Sequence, residues 1–261
     1  MARTIAIATH KGGTGKTVTA MALGAALALT KNRILLVDLD PQGHSTIGMG
    51  VELADSDPTI QDMFGDSPKP ISQIIRETHL PYFHIIPSSI RLARLTQSLY
   101  ARPRREEILK RTVSPAMNQY DFILVDCPPS LGVLTETAVA AADTILIPCQ
   151  MEARAADGLV DLLEVISIIK GEDFENWHIV LTRVDPRKSI TNQAVRAALA
   201  RWEHKIFKTF IPQSEPLNQS QIARTDIFSF EPKSAGAVAY NTLARELVKT
   251  YGNKKQKISP H

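Results

Sequence analysis

One short segment constrains this chain more than any other, because it joins a β-favouring run to a helix-favouring run through a glycine-rich loop. The run from Ile5 to Ala8 is apolar, the loop from Lys11 to Thr17 reads Lys-Gly-Gly-Thr-Gly-Lys-Thr, and Thr17 to Leu29 is rich in alanine and leucine. Glycines let successive amide N–H groups point inward, and the helix N-terminus adds its positive dipole end. The segment therefore predicts a polyphosphate-binding loop between the first strand and the first helix.

The side chains of this loop are those that a magnesium nucleotide requires. Lys16 is expected to reach the terminal phosphates, and the Thr17 hydroxyl is expected to ligate Mg²⁺. A plain glycine turn is the alternative, but it does not account for these two residues in this strand and helix context. The predicted cofactors are ATP or ADP and Mg²⁺, and the predicted cofactor-binding residues are Lys11, Gly12, Gly13, Thr14, Gly15, Lys16 and Thr17.

Three aspartates follow two further strand-like runs. Asp38 and Asp40 come after Ile34 to Val37, and Asp126 comes after Phe122 to Val125. Four apolar strand residues that end in a carboxylate are typical of the Walker B arrangement, which presents the carboxylate to the magnesium shell. An aspartate that only caps the next turn is the alternative for Asp126.

The remaining pattern predicts an α/β fold. Further apolar runs alternate with segments of helical periodicity, at Phe83 to Ile86, Thr144 to Ile147 and His178 to Leu181. We expect a P-loop NTPase fold, with a mostly parallel twisted sheet and helices on both faces. With 261 residues, of which 44% are hydrophobic, we expect a single ATPase domain over residues 1–251 and a polar, flexible tail at 252–261.

Composition excludes several classes of protein. The N-terminus has no room for a secretory signal, and the apolar runs are too short to cross a bilayer, so we expect a cytoplasmic location. The net charge of +3 permits an anionic partner without requiring one. Cys127 and Cys149 lack the number and spacing of a disulfide or metal framework, so we expect them to be small buried hydrophobes.

Three motifs together resemble those of a known family. The loop at 11–17, Asp-Leu-Asp-Pro-Gln-Gly at 38–43 and Asp-Cys-Pro-Pro-Ser at 126–130 are similar to the signature motifs of the ParA family of DNA-partition and cargo-positioning ATPases. This family belongs to the deviant Walker A group, which also contains MinD and the nitrogenase iron protein. The resemblance continues through Ser234-Ala-Gly-Ala-Val-Ala-Tyr240 and so covers almost the whole chain.

The resemblance implies a role for each matching residue. It implies a homodimer in the ATP-bound state, in which Lys11 crosses to the nucleotide of the partner; a solvated loop lysine is the simpler alternative. Lys11, Lys16 and Asp40 are the implied catalytic residues, with Asp40 orienting the attacking water and with Asp38 and Asp126 organising the magnesium shell through water. Spacing alone leaves the roles of Asp38 and Asp40 interchangeable. Slow hydrolysis, stimulated by a ParB-like partner or cargo adaptor, is also implied.

The resemblance further implies that the dimer binds DNA without sequence preference and is nucleoid-associated. Either a DNA surface or ordinary solvated helix faces would explain the basic residues of the C-terminal half, which are Arg187, Lys188, Arg196, Arg201, Lys205, Lys208 and Arg224. Family members commonly carry arginine after Ile-Pro, whereas this chain has Gln213-Ser214-Glu215, which predicts a shifted or weakened DNA surface. Adenine selection is expected around Thr182, Arg183 and the backbone near Pro212.

Other members of the deviant Walker A group, and other classes of protein, are alternatives to a ParA-type ATPase. A MinD-like membrane-associated positioning ATPase is the main one, but the tail at 252–261 has no apolar face for lipid. An iron protein would need cluster cysteines in other places. A kinase, a metabolic ligase or a non-enzymatic scaffold has no supporting motif. The sequence begins at its first strand, so we expect no added helix-turn-helix domain that reads an operator.

Overall fold

The computed structural model describes residues 1–65, 67–152 and 155–252. Except for Gly252, the predicted flexible tail lies outside these described residues. The bounds of the helices and strands given below therefore apply to these three ranges.

A single sheet of seven strands runs through the described residues. The strands are β1 Arg3–Ile7, β2 Ile34–Asp38, β3 Arg76–Glu77, β4 Phe83–Ile86, β5 Phe122–Asp126, β6 Thr144–Gln150 and β7 Trp177–Thr182. Their spatial order is β3-β4-β2-β5-β1-β6-β7, and every neighbouring pair is parallel except β3 with β4. The mostly parallel sheet expected from the sequence is confirmed, and the antiparallel edge strand β3 is an addition to it.

Helices of widely different length connect the strands. The described residues contain α1 Lys16–Leu29, α2 His44–Gly48, α3 Gln61–Phe64, α4 Arg91–Leu99, α5 Ile108–Val113, α6 Val133–Ala141, α7 Ala155–Lys170, α8 Ser189–Ala198, α9 Glu215–Ile222, α10 Ile227–Phe230 and α11 Ala235–Tyr251. Short 3₁₀ turns lie between some of them. Within the part of the chain that the structure describes, no helix is long and apolar enough to cross a lipid bilayer.

Both faces of the sheet are covered by apolar side chains. All five residues of β2 and all five of β5 are buried, as expected for a parallel sheet with a helical layer on each side. Successive residues of a strand point to opposite faces, so in β1 Ile5 and Ile7 join the cluster with α1 and α11, while Ala6 joins the cluster with α5, α6 and α7. The prediction of helices on both faces is confirmed.

Helix α1 approaches the sheet closely because it has small residues on the side that faces β4. A Cβ atom added at Gly24 would lie 2.6 Å from the Cζ atom of Phe83, whose ring is fully buried. Farther along, the hydroxyls of Thr19 and Tyr240 are hydrogen-bonded at 2.9 Å, which joins α1 to α11 inside the core. The helix that begins at the predicted phosphate loop is therefore held on both sides.

The strand order brings the polar ends of three strands together. β1 pairs with β5, and β5 pairs with β2, so that Ile7 lies beside Asp126 and Asp126 lies beside Asp38. The chain leaves β1 toward β2 on one side of the sheet and later adds β6 and β7 on the other. Ligands of open α/β sheets bind at such a switch point, beyond the carboxyl ends of the strands.

We predict that Gly24→Val lowers the melting temperature. The added Cβ and its two methyl groups have no room beside Phe83, and overpacking of this kind costs about 1–3 kcal/mol, or about 2–4 °C for each kcal/mol in a chain of this size. Leu29→Val is the matched control, since it places the same side chain on the same helix at a position that is 56% exposed. Thermal unfolding followed by circular dichroism gives both values. Equal melting temperatures for the two variants would contradict the close packing described here.

Candidate nucleotide-binding site

The loop from Lys11 to Gly15 adopts a conformation that requires glycine at two places. Gly13 has φ +76° and Gly15 has φ +93°, both in the left-handed region that side chains other than glycine disfavour. Gly15 is the N-cap of α1, and its carbonyl accepts the first hydrogen bond of the helix from the Thr19 N–H at 2.8 Å. A Cβ built at Gly12, Gly13 or Gly15 would meet no atom within 4 Å beyond its chain neighbours, so these three positions border open space.

Lys16 lies beneath this loop and is only 6% exposed. Its Nζ atom donates a hydrogen bond to the Lys11 carbonyl at 3.1 Å. Burial lowers the pKa of Lys16, and the nearby carboxylates of Asp126 and Asp40 oppose that shift. A buried ammonium group with one main-chain partner has donors left for an anionic ligand at the loop.

The three predicted aspartates are brought together, as the parallel strands require. Asp38 and Asp126 are fully buried, and Asp40 is 8% exposed. Burial raises the pKa of both Asp38 and Asp126, and the charge of Asp126 raises that of Asp38 further. Two carboxylates this close in the interior resist ionising together, so the pair favours a cation beside it.

The residues present fit a magnesium ion held mainly by phosphate and water. Asp126 Oδ1 is buried and makes no hydrogen bond within the described residues. In those same ranges no group of three or more His, Cys, Asp and Glu side chains forms a metal site. Mg²⁺ keeps several of its waters and takes few protein ligands when it is bound with phosphates. Thr17 as a direct ligand, with Asp38 and Asp126 accepting from metal-bound water, is consistent with both observations.

Two further residues contact the aspartates that the sequence analysis singled out. The Ser45 hydroxyl donates to Asp126 Oδ2 at 2.6 Å, and the Thr46 N–H and hydroxyl both donate to Asp38 Oδ2, at 2.9 and 2.7 Å. Both residues belong to α2, directly after the 38–43 motif. Their position directly after that motif was the only sequence signal for these two residues, and they were not predicted.

Lys11 lies at the surface of the site. Its Nζ atom is 3.2 Å from Glu152 Oε2, and the two side chains are 42% and 48% exposed. The preceding residue, His10, has its Nδ1 atom 2.7 Å from Asp161 Oδ2 on α7. An exposed pair of this kind contributes little to stability, so Lys11 is available to exchange Glu152 for an anion of higher charge. Its role toward a second subunit stays a prediction.

A cleft of about 280 Å³ opens beside the loop. The three residues predicted for adenine selection, Thr182, Arg183 and Pro212, all line it. The Thr182 hydroxyl itself donates to the Thr14 carbonyl at 2.8 Å and so fastens the end of β7 to the phosphate loop. The sequence analysis missed the other walls of the cleft, which are formed in part by Val18, Gln150, Met151, Leu217, Asn218 and Tyr240.

The basic residues proposed for DNA contact are in several different situations. Lys205 was wrongly included, because it is 7% exposed, pairs with Glu175 and lies over the ring of Trp177. Arg187 is bound to Asp185 by its guanidinium group, with Nη2 2.8 Å from Oδ2, and Lys188 lines the cleft beside the phosphate loop. The exposed members of the set are Arg187, Lys188, Arg196, Arg201, Lys208 and Arg224.

The two cysteines are buried and unpaired. Cys127 is 1% exposed and Cys149 is 5% exposed. Burial raises the pKa of the Cys127 thiol, and it raises the pKa of Cys149 to about 11. Neutral thiols of this kind are poor nucleophiles, and the expectation that they serve as small hydrophobes agrees with their positions.

With this geometry established, comparisons with known proteins identify the family. Residues 2–181 match a family model described as an AAA domain. The chain is 37% identical over 250 residues to the sporulation initiation inhibitor protein Soj of Bacillus subtilis, covering 95% of this chain and 98% of that protein. It is 36% identical to the chromosome partitioning protein ParA of Myxococcus xanthus, over 95% of this chain and 88% of that one.

A solved structure resembles the whole chain. It is named as a cobyrinic acid a,c-diamide synthase of Mycobacterium smegmatis with bound ADP and magnesium, with a TM-score of 0.82, 29% identity and full coverage of both chains. The two sequence relatives are 37% and 36% identical to this chain, and each match spans 95% of it. The chain therefore belongs to the Soj/ParA family of chromosome-partitioning ATPases.

Proposed function

We propose that this protein is a dimerising switch ATPase that uses Mg²⁺ and ATP, binds DNA without sequence preference in its ATP state, and positions a DNA or protein cargo. Hydrolysis is slow and is stimulated by a ParB-like partner or a cargo adaptor. The proposal includes a cytoplasmic, nucleoid-associated location and one ATPase domain over residues 1–251.

The observation that carries this proposal is the buried group of charges at the phosphate loop. Lys16 lies beneath the loop at the N-terminus of α1, and the fully buried Asp38 and Asp126 lie on adjacent strands close to it. Magnesium supplies charge neutralisation at the phosphates. Lys16 binds the terminal phosphates, Thr17 and the two buried aspartates hold the hydrated ion, and Asp40 orients a water for attack.

The position of Lys11 supports the proposed dimerisation. The side chain is partly exposed at the rim of the loop, and its partner Glu152 is a solvent-screened carboxylate. A triphosphate carries more negative charge than a single carboxylate and attracts the ammonium group more strongly. A second subunit that presents its own nucleotide at this rim would draw Lys11 across, so assembly depends on the nucleotide.

DNA binding is assigned to the exposed basic residues of the C-terminal half. Arg196 and Arg201 are exposed on α8 and the turn after it, and Lys208 follows on the same stretch of chain. Cations on two subunits brought together by ATP would neutralise more phosphates than one subunit, and the release of counterions would make the affinity strongly salt-dependent.

A biosynthetic ligase is a second candidate, because the similar Mycobacterium smegmatis structure is named as a cobyrinic acid a,c-diamide synthase. A ligase couples ATP cleavage to its second substrate, whereas a switch ATPase hydrolyses ATP without one. Phosphate release from ATP, Mg²⁺ and DNA alone would exclude the ligase. ATP cleavage only with cobyrinic acid and an amide donor would favour it.

We predict that Lys16→Ala weakens ATP binding at least about 100-fold, because hydrogen bonds between charged groups contribute about 1.5–3 kcal/mol each and Lys16 makes several to phosphate. Fluorescence titration with a labelled ATP analogue gives the affinity. Lys249→Ala, which removes an exposed lysine on α11, is the control. Binding by Lys16→Ala at the parental affinity would contradict the placement of phosphate at this loop.

We predict that Asp40→Ala retains ATP binding and loses hydrolysis, with a decrease in kcat of about 100-fold or more, typical of the loss of a water-positioning base. Phosphate release under saturating ATP measures the rate. Asp55→Ala changes an exposed aspartate in a neighbouring loop and is the control. An Asp40→Ala rate equal to that of the parent would refute the role given to Asp40.

We predict that DNA affinity appears with ATP, is absent with ADP or without nucleotide, and falls by about 10³-fold or more between 50 and 200 mM salt if six or more phosphates are neutralised. The triple charge reversal Arg196→Glu, Arg201→Glu and Lys208→Glu should abolish it without changing ATP binding. Lys31→Glu, Lys110→Glu and Lys249→Glu together are the control of equal charge change.

Anisotropy of labelled duplex DNA reports the affinity, and vesicle sedimentation in parallel tests the membrane alternative. Sedimentation with vesicles and no DNA binding would replace the proposal with the membrane-associated one.

A further inference from the structure

The short helix α2 is attached by its side chains to both buried aspartates of the site. Ser45 is fully buried, and its hydroxyl donates to Asp126 Oδ2 at 2.6 Å. Thr46 is 2% exposed, and its main-chain N–H and hydroxyl both donate to Asp38 Oδ2. Adjacent residues of one helical turn thus contact two carboxylates on two different strands.

These contacts leave a particular oxygen of Asp126 available. Ser45 occupies Oδ2, whereas Oδ1 is buried and without a hydrogen bond in the described residues. A carboxylate held through one oxygen by a short hydrogen bond has a fixed orientation, so the other oxygen has a defined position for a ligand. For Asp126 that ligand would be a magnesium-bound water.

Asp38 is fixed by a longer chain of contacts. The Thr46 hydroxyl that donates to Asp38 accepts a hydrogen bond from the Ser88 N–H at 3.0 Å, just beyond the end of β4. Asp38 Oδ1 accepts from the Asp40 N–H at 3.2 Å. Thr46 therefore connects Asp38 to β4, and Asp38 in turn connects to the residue proposed to orient water.

We propose that Ser45 and Thr46 are positioning residues of the magnesium site, which act by fixing Asp126 and Asp38 in the orientation that holds the hydrated ion. This inference rests on the proposed function, since it assumes that Mg²⁺ and nucleotide bind at this loop. Partners of this kind, which orient metal-binding groups without touching the metal, typically affect metal affinity by about 10–100-fold.

Helix α2 also contacts two helices that border the cleft beside the loop. It packs against α1 and against α9, and α9 supplies Leu217 and Asn218 to the wall of that cleft. The helix that holds the two carboxylates is therefore adjacent to an element of the cleft wall.

The test is a magnesium titration of nucleotide binding. A fluorescent ADP analogue is bound to each variant at fixed concentration, and free Mg²⁺ is varied with a chelator buffer. Ser45→Ala should raise the half-saturating Mg²⁺ concentration about tenfold, while binding of the analogue in excess chelator stays within about twofold of the parent. Thr46→Val should act in the same direction, and Thr46→Ser, which keeps the hydroxyl, should restore the parental value.

Ser88→Ala is the matched control. The Ser88 hydroxyl is buried near Thr46, but it has no hydrogen-bond partner in the described part of the chain. It should leave the Mg²⁺ midpoint unchanged.

A parental midpoint for Ser45→Ala, or the same shift for Ser88→Ala, would overturn the inference. If Ser45→Ala does not fold, the pair Thr46→Val and Thr46→Ser decides by the same criterion. A parent that binds the analogue without any dependence on Mg²⁺ would overturn the inference and the proposed function together, whereas a magnesium-dependent parent with an unaltered Ser45→Ala overturns the inference alone.

Discussion

The site is organised around two carboxylates that face each other across adjacent strands in the protein interior. Asp38 and Asp126 are register partners on β2 and β5, and both are inaccessible to solvent. Removing two like charges from water is costly unless other groups compensate for it. Here the compensation comes from the Ser45, Thr46 and Thr17 hydroxyls and from the ammonium group of Lys16, and Asp126 Oδ1 has no hydrogen-bond partner in the described residues. Under the proposed function, a hydrated cation at the phosphate loop would supply positive charge and a hydrogen-bond donor at that oxygen.

The scaffold places these groups through ordinary sheet geometry. Parallel pairing of β1, β5 and β2 delivers their carboxyl ends to one edge, and α1 begins at that edge with Gly15 as its N-cap. The helix lies close against β4 because Gly24 leaves space for the Phe83 ring, and the hydrogen bond between Thr19 and Tyr240 joins it to α11. Lys16 and Thr17, in the first turn of α1, take their positions from these packing contacts rather than from the loop alone.

Much of this could be predicted from the sequence, since strongly buried parallel strands are continuous apolar runs. Ile34 to Val37 and Phe122 to Val125 were such runs, and the aspartates that follow them met at the sheet edge as parallel pairing requires. The two-residue strand Arg76–Glu77 had no apolar pattern and was missed. Ser45 and Thr46 were missed because a hydroxyl does not reveal in sequence which carboxylate it will contact. Lys205 was wrongly included among the candidate DNA contacts because a lysine is usually exposed. Here its side chain lies over the Trp177 ring and its ammonium group pairs with Glu175.

The hydrogen bond from the Thr182 hydroxyl to the Thr14 carbonyl has a mechanical consequence for this chain. Thr182, at the end of β7, forms part of the cleft wall, and its hydroxyl is hydrogen-bonded to the main chain of the phosphate loop. If a base binds in this cleft as proposed, displacement of the end of β7 would also displace the main chain of the loop proposed to hold its phosphates. Base recognition and phosphate binding would then depend on one hydrogen bond between a strand end and a loop.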